Sequence, residues 1–316
     1  MEEKIRKYIE GQNFGSITEI KELVDGNSSN HLNYKIVTSA GSYVARVTKP
    51  ADMLSYSNLA DEYVILKLVE KYNVGPKAVS IDLEGFETPL LIEEFLDGVP
   101  YSNLGETGEV IFEMAIDLLV NTSNVSISID EFPFKFSYTT FKTNFKVWSS
   151  RLNEIEMALG EDHFIVSGYK KITGSAQKIL EEKDTLLRGA PKEFIYNDVH
   201  PGNIFWINKE NNAKFIDWQK VSIGNPAFMV CLFARRFGQL WGMNQGEFSK
   251  KVLESYKKKK DIKNLEDLFY ASVLERAVSD MIWGVWIDIK KKNPMKIEKL
   301  EDDKYYKEVR SLMLGM

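Results

Sequence analysis

Cysteine is almost missing from this 316-residue chain. The lone Cys231 excludes an intrachain disulfide, and its place in the apolar run 227–234 reads as a small buried hydrophobe rather than a nucleophile. A basic excess is missing too: 41 Lys and Arg against 46 Asp and Glu give a formal charge of -5, which argues against a polyanion-binding surface and a nucleic-acid partner. No stretch approaches the roughly 18 apolar residues of a membrane span. The opening MEEKIRKYIEGQNFG lacks the apolar segment of a secretory signal, so a cytoplasmic chain without a membrane partner is expected. Prolines are few, and internal repeats and low-complexity segments are absent. What is present is ordinary globular material, 44% hydrophobic and 28% charged, in enough chain to bury two packed lobes.

Period 2 dominates the first third. Residues 20–24, 33–39 and 42–48 carry Val, Ile and Tyr in short runs, the last two joined at Ala40-Gly41 like a hairpin. Residues 57–71 then switch to helical spacing, with Leu59, Tyr63 and Leu66 on one face, and Asn73-Val74-Gly75-Pro76 stops them. Strands are expected again at 78–82 and 89–95. Beyond Gly98, apolar spacings of three and four predict helices over 107–120, 138–159, 168–187, 229–242, 247–258 and 265–289. One strand-like island, 194–217, interrupts them. The lysine runs 257–260 and 290–292 read as solvated helix ends, and the Trp283 and Trp286 pair as core packing rather than a ligand cage.

The island carries the chemistry. In Tyr196-Asn197-Asp198-Val199-His200-Pro201-Gly202-Asn203-Ile204, Pro201-Gly202 forces a tight loop between Asp198 and the next strand. A second strand ends at Phe215-Ile216-Asp217-Trp218. Asp198, Asn203 and Asp217 then converge in a hairpin. Phosphoryl transfer needs one carboxylate to orient an attacking hydroxyl and oxygen ligands to hold Mg²⁺ against the phosphates. In kinases an Asn follows the catalytic Asp by five places, the spacing from Asp198 to Asn203. His200 reads as a loop-fixing hydrogen-bond partner rather than a metal ligand.

YNDVHPGNIFWI followed by FIDWQ resembles the motif pair of the aminoglycoside phosphotransferase and choline kinase-like family. Two departures stand out: Tyr196-Asn197 replaces the usual His-Gly, and in GNPAFMV Met229 stands where the family usually has a loop-bracing Asp. The resemblance implies an α+β, protein-kinase-like two-lobed fold, with residues 1–95 as a small β-rich nucleotide lobe and 96–316 as a helical lobe holding the catalytic hairpin and acceptor. It implies Asp198 as catalytic base, Asn203 and Asp217 as metal ligands, and ATP (or GTP) with Mg²⁺ as cofactors. Upstream, Gly26, Asn27, Ser28, Ser29 and Asn30 resemble the loop that covers the phosphates. Arg46 takes the place of the strand lysine that reaches the phosphates, with Glu62 as its helix partner. Glu93, Glu94 and Phe95 resemble the interlobe segment whose backbone binds the base.

The expected reaction is phosphorylation of a hydroxyl on a small molecule by a monomer or homodimer. Acidic residues on the late helices, among them Glu247, Glu254, Glu275, Asp280 and Asp288, favour a cationic acceptor such as an aminoglycoside or amino alcohol. The alternative is a catalytically silent nucleotide-binding module. A protein kinase proper is disfavoured, since the chain shows no DFG and no APE segment.

Overall fold

The computed structural model describes residues 1–23, 31–49, 59–105, 108–127, 141–293 and 297–315. The phosphate-loop residues Gly26, Asn27, Ser28, Ser29 and Asn30 lie outside the described residues. The chain separates into two compact units. The first comprises Met1–Lys135, Tyr196–Val221 and Gln239–Met243, and the second Phe136–Ile195, Ser222–Gly238 and Asn244–Met316.

The first unit opens with α1 (Glu2–Glu10), whose Ile5 and Ile9 share a face one turn apart. Strands β1 (Ile17–Leu23), β2 (His31–Thr38) and β3 (Gly41–Thr48) follow, then helix α2 (Leu59–Val69), then β4 (Ala78–Asp82) and β5 (Leu90–Glu94). They form one antiparallel sheet in the order β1-β2-β3-β5-β4. Its two faces differ because successive side chains alternate. Tyr34, Ile36, Ala45, Val47, Leu90 and Ile92 join Ile5, Ile9 and Phe14 in an apolar cluster on one side. Arg46, flanked by Ala45 and Val47, is therefore turned to the other side. There α2 packs on β3, β4 and β5, burying Leu59, Ile65, Leu66, Val69 and, unusually, Glu62. A carboxylate is rarely buried without a partner, so the sheet parity and the helix face together pre-announce an Arg46–Glu62 pair.

The rest of the first unit is a short strand β6 (Val99–Pro100), helix α3 (Glu109–Ser123) and the hairpin β8 (Ile204–Ile207) and β9 (Asn212–Phe215), giving a three-stranded sheet β6-β8-β9. Gly98 is obligatory before β6. A Cβ there would lie 2.6 Å from the Trp206 carbonyl oxygen.

Between these elements in the chain, the second unit contributes helices α4 (Phe141–Leu159), α5 (Phe164–Glu182) and α6 (Asp184–Arg188), and most of β7 (Glu193–Tyr196) and β10 (Val221–Gly224). Helices α7 (Pro226–Phe237), α8 (Gln245–Lys259), α9 (Leu265–Lys290) and α10 (Lys304–Gly315) complete it. Its core gathers Trp148, Ile155, Tyr169, Ala176, Leu274, Val278 and Met281, and the indole of Trp148 donates to Ser279 Oγ at 2.8 Å. Cys231 is fully buried on α7, where burial pushes its thiol up to about 12, so it is the inert hydrophobe expected. Trp286 packs against the core. Trp283, expected in that core, is instead 42% exposed, and Arg151 covers it with its guanidinium 4.7 Å from the ring. Among the described residues, no helix is long and apolar enough to cross a membrane.

Candidate active site

Four polar side chains named from the sequence meet in the first unit. Arg46 Nη1 donates to Glu62 Oε1 at 2.5 Å and Nη2 to Asp217 Oδ1 at 3.0 Å, while Glu93 Oε1 stands 3.9 Å from Nη1. Glu93 is brought there by register: it pairs with Val44, two places from Arg46 on the same face of β3. Burial works against the charged guanidinium, but Glu62, Glu93 and Asp217 outweigh it and raise its affinity for the proton. One guanidinium thus serves three acidic side chains. The second oxygens of Glu62 and Glu93 are buried without hydrogen-bond partners among the described residues.

Asp217 reaches Arg46 because the chain turns sharply after β9. Its φ of 59° is left-handed, a conformation Asp tolerates better than most residues. That turn swings the Trp218 amide onto Glu62 Oε1 at 2.8 Å, and buries the Trp218 indole, which donates to the Phe215 carbonyl at 3.0 Å. Gly75 accommodates it, since a Cβ there would fall 2.5 Å from the indole nitrogen. Burial opposes ionisation of Asp217, yet the charge and hydrogen bond of Arg46, with His31 and Lys220, hold it below the usual carboxylate range. Its side chain is 37% exposed, so the carboxylate remains reachable.

On the other strand, Pro201–Asn203 forms a single tight turn in which Gly202 N–H donates to His200 Nδ1 at 3.2 Å. His200 is thus a loop-fixing partner. The turn presents Asn203, whose amide Nδ2 donates to the Tyr196 hydroxyl at 3.0 Å and to the Asp198 carbonyl at 3.2 Å. With both amide hydrogens used, Oδ1 is left as an acceptor. Tyr196 in turn donates to the Ile216 carbonyl at 2.6 Å. Burial, reinforced by the charges of Asp217 and Asp198, keeps that phenol protonated far above its ordinary range. The aromatic residue standing in place of His is therefore the strut between the two strand ends. The Asp198 carboxylate accepts from Lys220 Nζ at 2.8 Å.

At the end of β5 the amides of Glu94 and Phe95 donate to the Lys77 carbonyl at 2.8 Å and the Ser42 carbonyl at 3.1 Å. Lys35 Nζ sits 4.2 Å above the Phe95 ring. The sequence reading missed Tyr196 as a strut and Lys220 altogether. A signal for the latter existed, since a lysine three residues after Asp217 sits at the far end of the same turn. Among the described residues no trio of His, Cys, Asp or Glu gathers into a metal cage. One carboxylate and one amide oxygen suit a hard cation that keeps water and phosphate ligands, which is the habit of Mg²⁺.

The model of a family described as "Phosphotransferase enzyme family" matches residues 19–248. Among solved structures, a spectinomycin phosphotransferase in complex with ADP and spectinomycin is similar at 14% identity, with a TM-score of 0.63 over 99% of this chain and 97% of that one. An ADP-bound aminoglycoside phosphotransferase is similar at 17% identity and TM-score 0.63, covering 98% and 96%. An ethanolamine kinase of Plasmodium vivax follows at 14% identity and TM-score 0.59, covering 94% and 81%. No curated protein sequence matches. At these identities the structural likeness establishes the fold, which is kinase-like as the resemblance implied.

Proposed function

This chain belongs to the phosphotransferase enzyme family, and we propose that it transfers the γ-phosphoryl group of ATP, with Mg²⁺, to a hydroxyl of a small molecule, using Asp198 as base. On this reading residues 1–95 supply Arg46, Glu62 and the base-binding end of β5, and residues 96–316 supply the catalytic hairpin and the acceptor pocket. The observation that carries it is continuity. Asp198, Asn203, Tyr196, Asp217, Arg46 and Glu62 are joined by consecutive contacts, from Asn203 to the Asp198 carbonyl and to Tyr196, and from Arg46 to Asp217 and Glu62. A structural turn has no need of that convergence.

Each residue then has a task. Glu62 and the Trp218 amide hold the two ends of the cluster so that Arg46 is presented with its fork fixed, ready to exchange Asp217 for phosphate oxygens. Asp217 and Asn203 Oδ1 would hold Mg²⁺, which when bound offsets the charge of the phosphates. Asp198 orients the acceptor hydroxyl and receives its proton. The Glu94 and Phe95 amides are spent within the sheet, which leaves the Leu96 amide as the next donor for the base.

For a cationic acceptor the late acids offer less than their number suggests. Asp280 is paired with Arg235 and Arg276 at 3.2 and 2.5 Å, Asn144 donates to Glu275, and Asp288 is bound by Asn293 at 2.9 Å. The first acceptor panel follows the similar structures: aminoglycosides, spectinomycin and ethanolamine, with neutral sugars as contrast, read by ADP release. Asp198→Asn should keep the fold and still bind nucleotide while lowering kcat by about 10²- to 10⁴-fold. A variant with full turnover would remove Asp198 from its role.

A further inference from the structure

Lys220 is three residues beyond Asp217 and 62% exposed, yet its ammonium is not idle. It lies 2.8 Å from Asp198 Oδ2. Its backbone is pinned at the same place, the Asn197 amide donating to the Lys220 carbonyl at 2.7 Å. Main chain and side chain of one residue therefore hold the neighbouring positions 197 and 198. Arg46 attends Asp217, and Lys220 attends Asp198. Two carboxylates that would face a triphosphate thus each carry a cation at the start.

We propose that Lys220 is a catalytic residue of the phosphotransfer reaction, exchanging its contact with Asp198 for the phosphoryl group in transit. This rests on the function proposed above. The hydroxyl that Asp198 orients must come within about 3 Å of it, and the attacked phosphorus within roughly 3.5 Å of that hydroxyl. An ammonium already 2.8 Å from Asp198 Oδ2 is one side-chain swing from the phosphoryl oxygens. Its four-carbon stem permits the swing, and its exposure means little desolvation opposes it. In the step itself the acceptor oxygen bonds to the γ-phosphorus as the bond to the bridging oxygen breaks. The electron pair of that bond leaves on ADP, and the acceptor proton passes to Asp198. Lys220 adds no proton. It contributes charge where the equatorial oxygens carry most of theirs, and its departure frees Asp198 Oδ2 for the hydroxyl.

Because the ion pair and the phosphate compete for one ammonium, binding alone reads the proposal. Affinities of ADP and of β,γ-imido-ATP, each with Mg²⁺, would be measured by calorimetry on the full chain. Lys220→Met should weaken the imido triphosphate about tenfold while moving ADP less than about twofold, and Lys220→Arg should restore most of the loss. Asp198→Asn, which releases the lysine, should tighten the triphosphate analogue a few-fold, and Asp198→Asn with Lys220→Met should abolish that gain. In turnover, Lys220→Met should lower kcat by at least about tenfold with the acceptor KM little changed. Equal losses for ADP and the triphosphate analogue, or a gain in Asp198→Asn that survives removal of the lysine, would overturn this role and leave the phosphotransfer reading standing. Failure of the unaltered chain to bind either nucleotide would overturn both.

Discussion

Glu93 holds a carboxyl that its surroundings cannot fully satisfy. Burial pushes it up to about 8 from an ordinary 4.5; Arg46 opposes the shift, while Glu62 and Asp217 add to it. Because the folded protein holds this proton more tightly than the unfolded chain, the stabilisation is fully present below pH 4.5 and is lost as pH rises towards 8. Urea midpoints should fall across that window. Glu93→Gln should flatten part of the slope, with Glu275, pushed up by burial to about 7, supplying a remainder of the same sign. An unchanged slope in Glu93→Gln would refute the account. The sequence reading used Glu93 only for its backbone near the base. Its side chain was decodable in principle, from the alternation that places Ala45 and Val47 on one face and Arg46 on the other, but only once β3 and β5 were known to be neighbours in register.

At the scale of elements, the Arg46–Glu62 contact ties β3 to α2, and the Trp218 amide ties the turn after β9 to the same carboxylate. Removing one member of such a buried pair leaves the other unpaired, so Glu62→Ala should cost about 3–5 kcal/mol by chemical denaturation. By contrast, replacing Lys209, whose pair with Asp97 is exposed on both sides, should change the midpoint very little. A small effect at Glu62 would mean that the guanidinium is satisfied elsewhere. Strands β2 to β5 and the long helices were legible because their apolar periods are sustained. Helix α1 was not, because two isoleucines in nine residues make a narrow stripe, and α10 buries only Val309. The short strands β6 and β10 carry too few residues for a period to be counted.

For the whole molecule the consequence of a nucleotide site is linkage. Mg²⁺ with ATP at about 100 times its Kd should raise the unfolding free energy by about 2.7 kcal/mol, and a chelator should remove the metal-dependent part. A melting temperature indifferent to both would contradict the proposed site. Sequence alone determined the family and the ordering of strands before helices, and it singled out Asp198, Asn203 and Asp217 as the candidate site, because spacing along a hairpin is a local property that the chain carries in its own order. It also determined that Arg46 and Glu62 are natural partners. Only the tertiary structure decided that Arg46 is shared among three acids, that Tyr196 braces Asn203, and that Lys220 rests on Asp198. Those contacts join residues up to 171 positions apart, and their existence depends on strand register and on a left-handed turn at Asp217, neither of which a one-dimensional pattern encodes.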